Sequence, residues 1–190
     1  MTLPPAKSKI ELRKKAHTLL SLSLEARVGL SRKIVSFISQ DITFKRARQV
    51  ALFYPRDQEP DLLGLWEQRK TECFFPKCTS ELLLFFSVKH LEDLQAGYAS
   101  ILEPPANSEH AAKTWAASDL ILVPGLLFDE WGARIGSGKG FYDRFLASNP
   151  ARKWGIGFQV QVDSARLEQE STDIRMDAVV TEAGIRLRKQ

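Results

Sequence analysis

Apolar positions in the first 40 residues recur at helical spacing, and beyond residue 49 they gather into short runs. From Lys7 the residues Ile10, Leu12, Ala16, Leu19 and Leu20 form an imperfect apolar stripe with basic residues between them, which predicts a helix. Ser23 is a good N-cap with Glu25 in the first turn. Leu24, Val28, Val35 and Ile38 then follow at helical spacing to about Gln40. The pattern changes at Gln49. Residues 50–54 are apolar and aromatic and stop at Pro55, which predicts a buried strand. Residues 61–69 and 109–117 read as helices, and a third short helix starts at Gly140 or Phe141 and runs to Ala147. Further strands are expected at 72–75, ending at Pro76, and at 82–88, 100–103, 154–158, 178–180 and 185–187. The clearest is 119–123, stopped by Pro124-Gly125. Residues 1–6, with Pro4 and Pro5, read as a loose arm.

Short apolar runs alternating with helical segments predict an α/β fold, a three-layer α/β/α sandwich with a mostly parallel central sheet. Residues 1–190 fit a single domain. In such sheets ligands bind beyond the carboxyl ends of the strands. Three strand ends carry turn chemistry with polar residues just after it: Tyr54-Pro55 before Glu59, Phe75-Pro76 before Lys77, and Val123-Pro124-Gly125 before a glycine-rich loop. Those ends are expected to face one crevice.

Composition narrows the class. The chain is 44% hydrophobic and 26% charged, which excludes whole-chain disorder. No apolar run approaches the ~20 residues of a spanning helix. No apolar segment of a secretory signal follows the early basic residues, so the cytoplasm is the expected compartment. Cys73 and Cys78 are too few for a disulfide framework or a zinc site. His17, His90 and His110 fall in no motif. The charge is uneven. Residues 1–48 carry 11 Lys/Arg against 3 Asp/Glu, and residues 49–190 carry 16 against 20. The N-terminal segment could face phosphates of a nucleotide, a nucleic acid or a membrane surface, or simply present a solvated helix face.

The richest stretch is VPGLLFDEWGARIGSGKGFYDRFL, Val123 to Leu146. Gly136, Gly138 and Gly140 alternate with Ser137 and Lys139. Glycines at this density let the backbone approach a ligand and turn successive amides inward as an anion nest. Lys139 adds a full charge, and Asp143 is a hard oxygen ligand of the kind that holds Mg²⁺ beside phosphates. Together they read as a nucleotide-phosphate site; a flexible turn with an exposed lysine is the plainer alternative. It is not a Walker A loop, because residue 133 is Ala and residue 140 is Gly. It is not the dinucleotide fingerprint either, because the third glycine comes one residue early. Nor is Ser137 a nucleophile elbow, which needs G-x-S-x-G.

The same stretch resembles the signature of the 5-formyltetrahydrofolate cyclo-ligase (5,10-methenyltetrahydrofolate synthetase) family, close to VPGLAFDxxGxRLGxGxGYYDRFL. Lys9-Ile10-Glu11-Leu12-Arg13 resembles its KxxLR, and Ser21 to Arg27 its LSxExR. Phe53-Tyr54-Pro55 with Glu59 and Asp61 resembles its YPxxxEVDT, and Ile101-Leu102-Glu103-Pro104 its GIxEP. Asp173, Asp177 and Val179-Val180-Thr181-Glu182 resemble its closing DxxxDxVVTE. These segments follow the family's order over nearly the whole chain. Ser137 departs from the family's usual aromatic residue, Pro60 from Val, Leu62 from Thr, Glu168 from Pro and Thr172 from His.

The resemblance implies an enzyme that uses ATP and Mg²⁺ to convert 5-formyltetrahydrofolate into 5,10-methenyltetrahydrofolate, through a phosphorylated formyl group, the iminium phosphate. It implies that Lys9 and Arg13 contact ATP phosphates and that residues 134–142 (Arg134, Ile135, Gly136, Ser137, Gly138, Lys139, Gly140, Phe141 and Tyr142) wrap the nucleotide. Lys139 and Arg13 become the catalytic cations, Asp143 and Asp177 the Mg²⁺ ligands, and Tyr54, Glu59 and Tyr142 the folate contacts. It also implies a monomer with no nucleic-acid or membrane partner. Two alternatives stay open. One is a diverged paralogue that binds ATP but acts on another formylated or carboxylated small molecule. The other is a nucleic-acid-binding module using residues 7–48, against which stands the net acidity of the remaining chain.

Overall fold

A computed structural model describes residues 8–105 and 111–190. The expected loose arm, and residues 109 and 110 of the helix expected over 109–117, lie outside them. The elements run α1 (Lys9–Leu19), α2 (Leu24–Gln40), α3 (Ile42–Arg46), β1 (Val50–Ala51), α4 (Leu63–Gln68), β2 (Cys73–Cys78), β3 (Leu83–Phe86), β4 (Gln95–Ala96) and β5 (Leu102–Glu103). They continue as β6 (Leu120–Pro124), β7 (Leu127–Asp129), β8 (Arg134–Ile135), α5 (Phe141–Ala147), β9 (Arg152–Ile156), β10 (Val162–Asp163), β11 (Ala178–Thr181) and β12 (Gly184–Leu187).

Among the described residues the central sheet has seven strands, in the order β12-β11-β9-β6-β1-β2-β3. Its five inner strands are parallel, and the two edge strands β12 and β3 run antiparallel to their neighbours. Side chains alternate between its faces. Leu52, Phe75, Leu120, Leu122, Ile156 and Val180 join one core beneath α2, α3 and α4. Ala51, Phe74, Ile121, Val123 and Val179 enter a second core with Leu146 of α5. Burial on both faces explains why β6 reads as a continuous apolar run, with Leu120 to Val123 at 0% exposure.

Three layers result, as expected, but one outer layer is not purely helical. A three-stranded sheet, β10-β7-β8, lies beside α5, and α1 packs on it through Leu12 and Ala16 against Leu127, Ala133 and Ile135. Sequence reading treats this region as loop, because its strands are two or three residues long and carry no period. Buried Asp129 holds it together by accepting from the amides of Trp131, Ala133 and Leu167 at 2.9, 2.8 and 2.9 Å. Such a buried carboxylate is tolerable only when satisfied in this way.

The Ser23 cap matches expectation: its hydroxyl accepts from the amide of Ala26 at 3.2 Å. Ser8, for which no cap was expected, closes a capping box with Glu11 on α1. Three elements differ. Residues 111–117 are not helical; Ala111 instead bridges Phe86 and covers the open side of β3. β2 continues through Pro76, which lies beyond its last β1 partner, Phe74, and pairs only with β3, so one side needs no donor. A short helix, α3, follows α2 after Asp41 caps it through the amide of Thr43 at 2.6 Å.

Leu122 is buried at the centre of the sheet. Leu122→Ala should destabilise the fold by about 2–5 kcal/mol, read as a lower midpoint in urea unfolding.

Candidate functional site

The carboxyl ends of β1, β2 and β6 open into one cleft of about 1320 Å³, larger than the ~300–1,000 Å³ usual for one small ligand. Phe53 and Tyr54 follow β1, and Pro76 and Cys78 come from β2. Pro124 and Gly125 close β6. The three strand ends expected to meet do meet. Gln161 fixes the last of them: its amide donates to the carbonyls of Gly125 and Leu126 at 2.8 and 3.1 Å, while its oxygen accepts from the Phe158 amide at 2.7 Å.

The glycine-rich loop forms one wall. Gly138 and Gly140 adopt φ of +95° and +69°, the left-handed region that favours glycine. A Cβ at Gly138 would lie 3.2 Å from the Arg13 guanidinium and one at Gly140 2.8 Å from Arg144, so either arginine would have to shift as well. Arg13 donates from Nε to the Gly136 carbonyl at 3.0 Å, which seats α1 on the loop. Arg144 donates to the Lys139 carbonyl at 3.1 Å and to Glu81 at 3.2 Å, tying the loop to the β2–β3 turn. Lys139 is exposed, and its ammonium has no protein partner among the described residues. A free cation above a cradle of backbone amides suits an anionic ligand.

Asp143 lies in the first turn of α5, and Arg134 Nη2 donates to both its oxygens at 3.0 and 2.9 Å. Arg134 Nη1 donates to Pro124, and its side chain is 6% exposed. So Arg134 braces Asp143 and the cleft floor instead of standing free for phosphate. Tyr142 lies beneath that guanidinium, 5.7 Å from ring centroid to Cζ. Its buried hydroxyl has no hydrogen-bond partner among the described residues. Burial and then Glu59 push the phenol well above its usual range. Burial likewise raises the Glu59 carboxyl, against the lowering effect of the Arg56 amide, which donates to it at 3.0 Å. An unpartnered hydroxyl near a carboxyl group is a recognition surface for a ring carrying polar edges.

The expected residues Lys9, Arg13, Tyr54, Glu59, Asp143 and the stretch 134–142 all line this cleft. Asp177 does not. It stands just before β11, at the opposite end of the sheet, where Oδ2 accepts from the Lys153 amide at 2.9 Å and its own amide donates to Lys153 at 2.7 Å. The acid expected to pair with Asp143 is therefore a strand-end clamp. Asp173 of the same segment enters the cleft in its stead and binds Lys9.

Other lining residues were not among the expected site residues, although Glu103 falls in the GIxEP-like segment. Tyr98 meets Phe141 edge-to-face at 5.6 Å from a tight turn between β4 and β5. Buried Glu103 accepts from the Tyr98 amide at 3.3 Å, and burial followed by the Glu103 charge pushes the Cys78 thiol up to about 11. Ala99 and Ser100 in that turn have φ of 53° and 61°. Ser100 stands where the GIxEP pattern has glycine. Ser100→Gly should relieve strain and stabilise the protein by about 1 kcal/mol, read as a raised urea midpoint.

A family model described as the 5-formyltetrahydrofolate cyclo-ligase family matches residues 5–182. The Escherichia coli protein named 5-formyltetrahydrofolate cyclo-ligase is 31% identical over 71% of this chain and 78% of its own length. An Arabidopsis thaliana protein named 5-formyltetrahydrofolate cyclo-ligase, mitochondrial, is 31% identical over 52% of this chain. The match spans 42% of that plant protein's length, less than half of it. The solved structure of Aquifex aeolicus 5,10-methenyltetrahydrofolate synthetase superimposes with a TM-score of 0.82 at 35% identity, covering 96% of this chain and 93% of that one.

Proposed function

The chain belongs to the 5-formyltetrahydrofolate cyclo-ligase family, and on that premise we propose that it closes 5-formyltetrahydrofolate to 5,10-methenyltetrahydrofolate while ATP becomes ADP and phosphate. The carrying observation is a cleft large enough for two ligands, with a free lysine over a glycine cradle on one wall and Glu59 with Tyr142 on another. A formamide oxygen is a poor leaving group, and ATP supplies the phosphoryl group that turns it into a good one. The protein's own task is positioning and charge neutralisation.

Residues 136–140 and Lys139 would hold the triphosphate, with Lys9 and Arg13 reaching it from α1. Arg134, expected among the nucleotide contacts, would act through Asp143, to which it is bonded. Tyr54, Glu59 and Tyr142 would hold the folate ring. Glu59, ionised, accepts N–H donors from a pterin edge; the Tyr142 hydroxyl, otherwise orphaned, gains a partner when the ring binds. Bringing the formyl carbon and N10 into register is an orientation effect, which a preformed, braced wall provides.

Mg²⁺ fits this site as a phosphate-borne ion. Among the described residues no group of three or more His, Cys, Asp or Glu is arranged to hold a metal alone. Magnesium commonly takes one or two carboxylates and completes its shell with phosphate and water. Asp143 would serve through Oδ2, which has Arg134 as its one donor among the described residues and keeps a second lone pair, whereas Oδ1 also accepts from the Ile174 amide at 3.5 Å. No described helix is long and apolar enough to cross a membrane. The reading is of a monomeric cytoplasmic enzyme whose partners are small molecules, not nucleic acid or membrane.

The test is an absorbance assay for the methenyl chromophore with 5-formyltetrahydrofolate, Mg²⁺ and ATP. An ATP-dependent rise is expected, and Lys139→Ala should lower kcat/KM for ATP at least about tenfold with the fold intact. No rise from a protein that still binds ATP would point to another formylated or carboxylated substrate.

A further inference from the structure

Lys9, in the first turn of α1, has its ammonium donors engaged by two acids of the facing cleft wall. Its Nζ lies 3.0 and 2.7 Å from the oxygens of Asp173 and 3.1 Å from Glu170 Oε1. Burial alone would lower its pKa, but the two carboxylates reverse that and hold it above its ordinary value.

The two acids differ in what else holds them. The Asp173 side chain is 12% exposed, and its Oδ2 also accepts from the Glu170 amide at 2.7 Å, so it is built into the turn at 170–173. The Glu170 side chain is 68% exposed and has no other partner among the described residues. An ammonium has three donors and no acceptor. To take a phosphate oxygen, Lys9 must release one contact. The exposed, singly held one costs least, because such pairs gain little in water.

We propose that Asp173 is a positioning residue that aims Lys9 into the cleft, and that Glu170 is an exchangeable carboxylate occupying the anion's place on Lys9 until a ligand phosphate displaces it. This rests on the reading of the cleft as an ATP site. Charge supports the exchange. A phosphate that displaced Asp173 instead would leave a largely buried carboxylate without its cation, which is costly. Displacing Glu170 frees a side chain into water and moves one negative charge away from the arriving one.

The two acids therefore have opposite signatures. Calorimetric titration with ATP and Mg²⁺ should show Glu170→Gln binding about two- to fivefold more tightly than wild type, because the displaced partner is neutral. Asp173→Asn should bind at least about tenfold more weakly, and Asp173→Glu should recover most of that loss. The KM for 5-formyltetrahydrofolate should not move in Glu170→Gln. Circular dichroism checks folding, and Glu170→Gln, an exposed change, decides the matter should Asp173→Asn fail to fold. Unchanged or weaker ATP binding by Glu170→Gln would overturn the exchange, and unchanged binding by folded Asp173→Asn would overturn the positioning role. A wild-type protein that binds no ATP would overturn the ATP reading itself, and this inference with it.

Discussion

Burial of β6 on both of its faces is the constraint from which the remaining architecture follows. Leu120 and Leu122 pack into one core, and Ile121 and Val123 into the other. With β1 on one side and β9 on the other, the strand has no exposed edge. A strand so enclosed can reach solvent only at its ends. The cleft opens at the carboxyl end, where Pro124-Gly125 turns the backbone, while the buried polar groups at the amino end, Gln49 and Asp119, bond one another and the nearby backbone.

Around that opening the protein braces its cations with carboxylates and backbone carbonyls and leaves few free. Arg134 is held by the Asp143 carboxylate and the Pro124 carbonyl, Arg13 by the Gly136 carbonyl, Arg144 by the carbonyls of Lys139 and Glu81, and Lys9 by the carboxylates of Asp173 and Glu170. Lys139 stands apart with no such partner among the described residues. Bracing limits the rearrangement needed when a ligand arrives, and electrostatic preorganisation of this kind is the main catalytic resource of a site that positions reactants. The loop needs glycine at 138 and 140 because of their left-handed φ, and the guanidinium groups of Arg13 and Arg144 lie close over the same positions.

Much of this was legible along the chain. Helical spacing located α1, spacing with the Ser23 cap located α2, the glycine-rich loop located the start of α5, and the apolar runs located the inner strands, because period and turn residues are local properties. The stretch from Val123 to Leu146 announced a loop for an anionic ligand through residue types alone. The small sheet β10-β7-β8 escaped, since two- and three-residue strands have no period to detect. The stretch 111–117 misled, because its residues suit a helix but one bridge to β3 places them as an edge cover.

The sequence by itself determined the fold class and the family to which the chain belongs, and it picked out the glycine-rich loop with Lys139 that lines the cleft, because these depend on residue type, order and local spacing. The tertiary structure decided which acids share the cleft. Asp173 and Asp177 are four residues apart with the same chemistry, yet one binds Lys9 in the cleft and the other clamps β9 at the far end of the sheet. Extended chain covers ~3.3 Å per residue, so four residues can carry the backbone from one environment to another. Only the packing of distant segments, α1 against residues 170–173, says which carboxylate meets a cation.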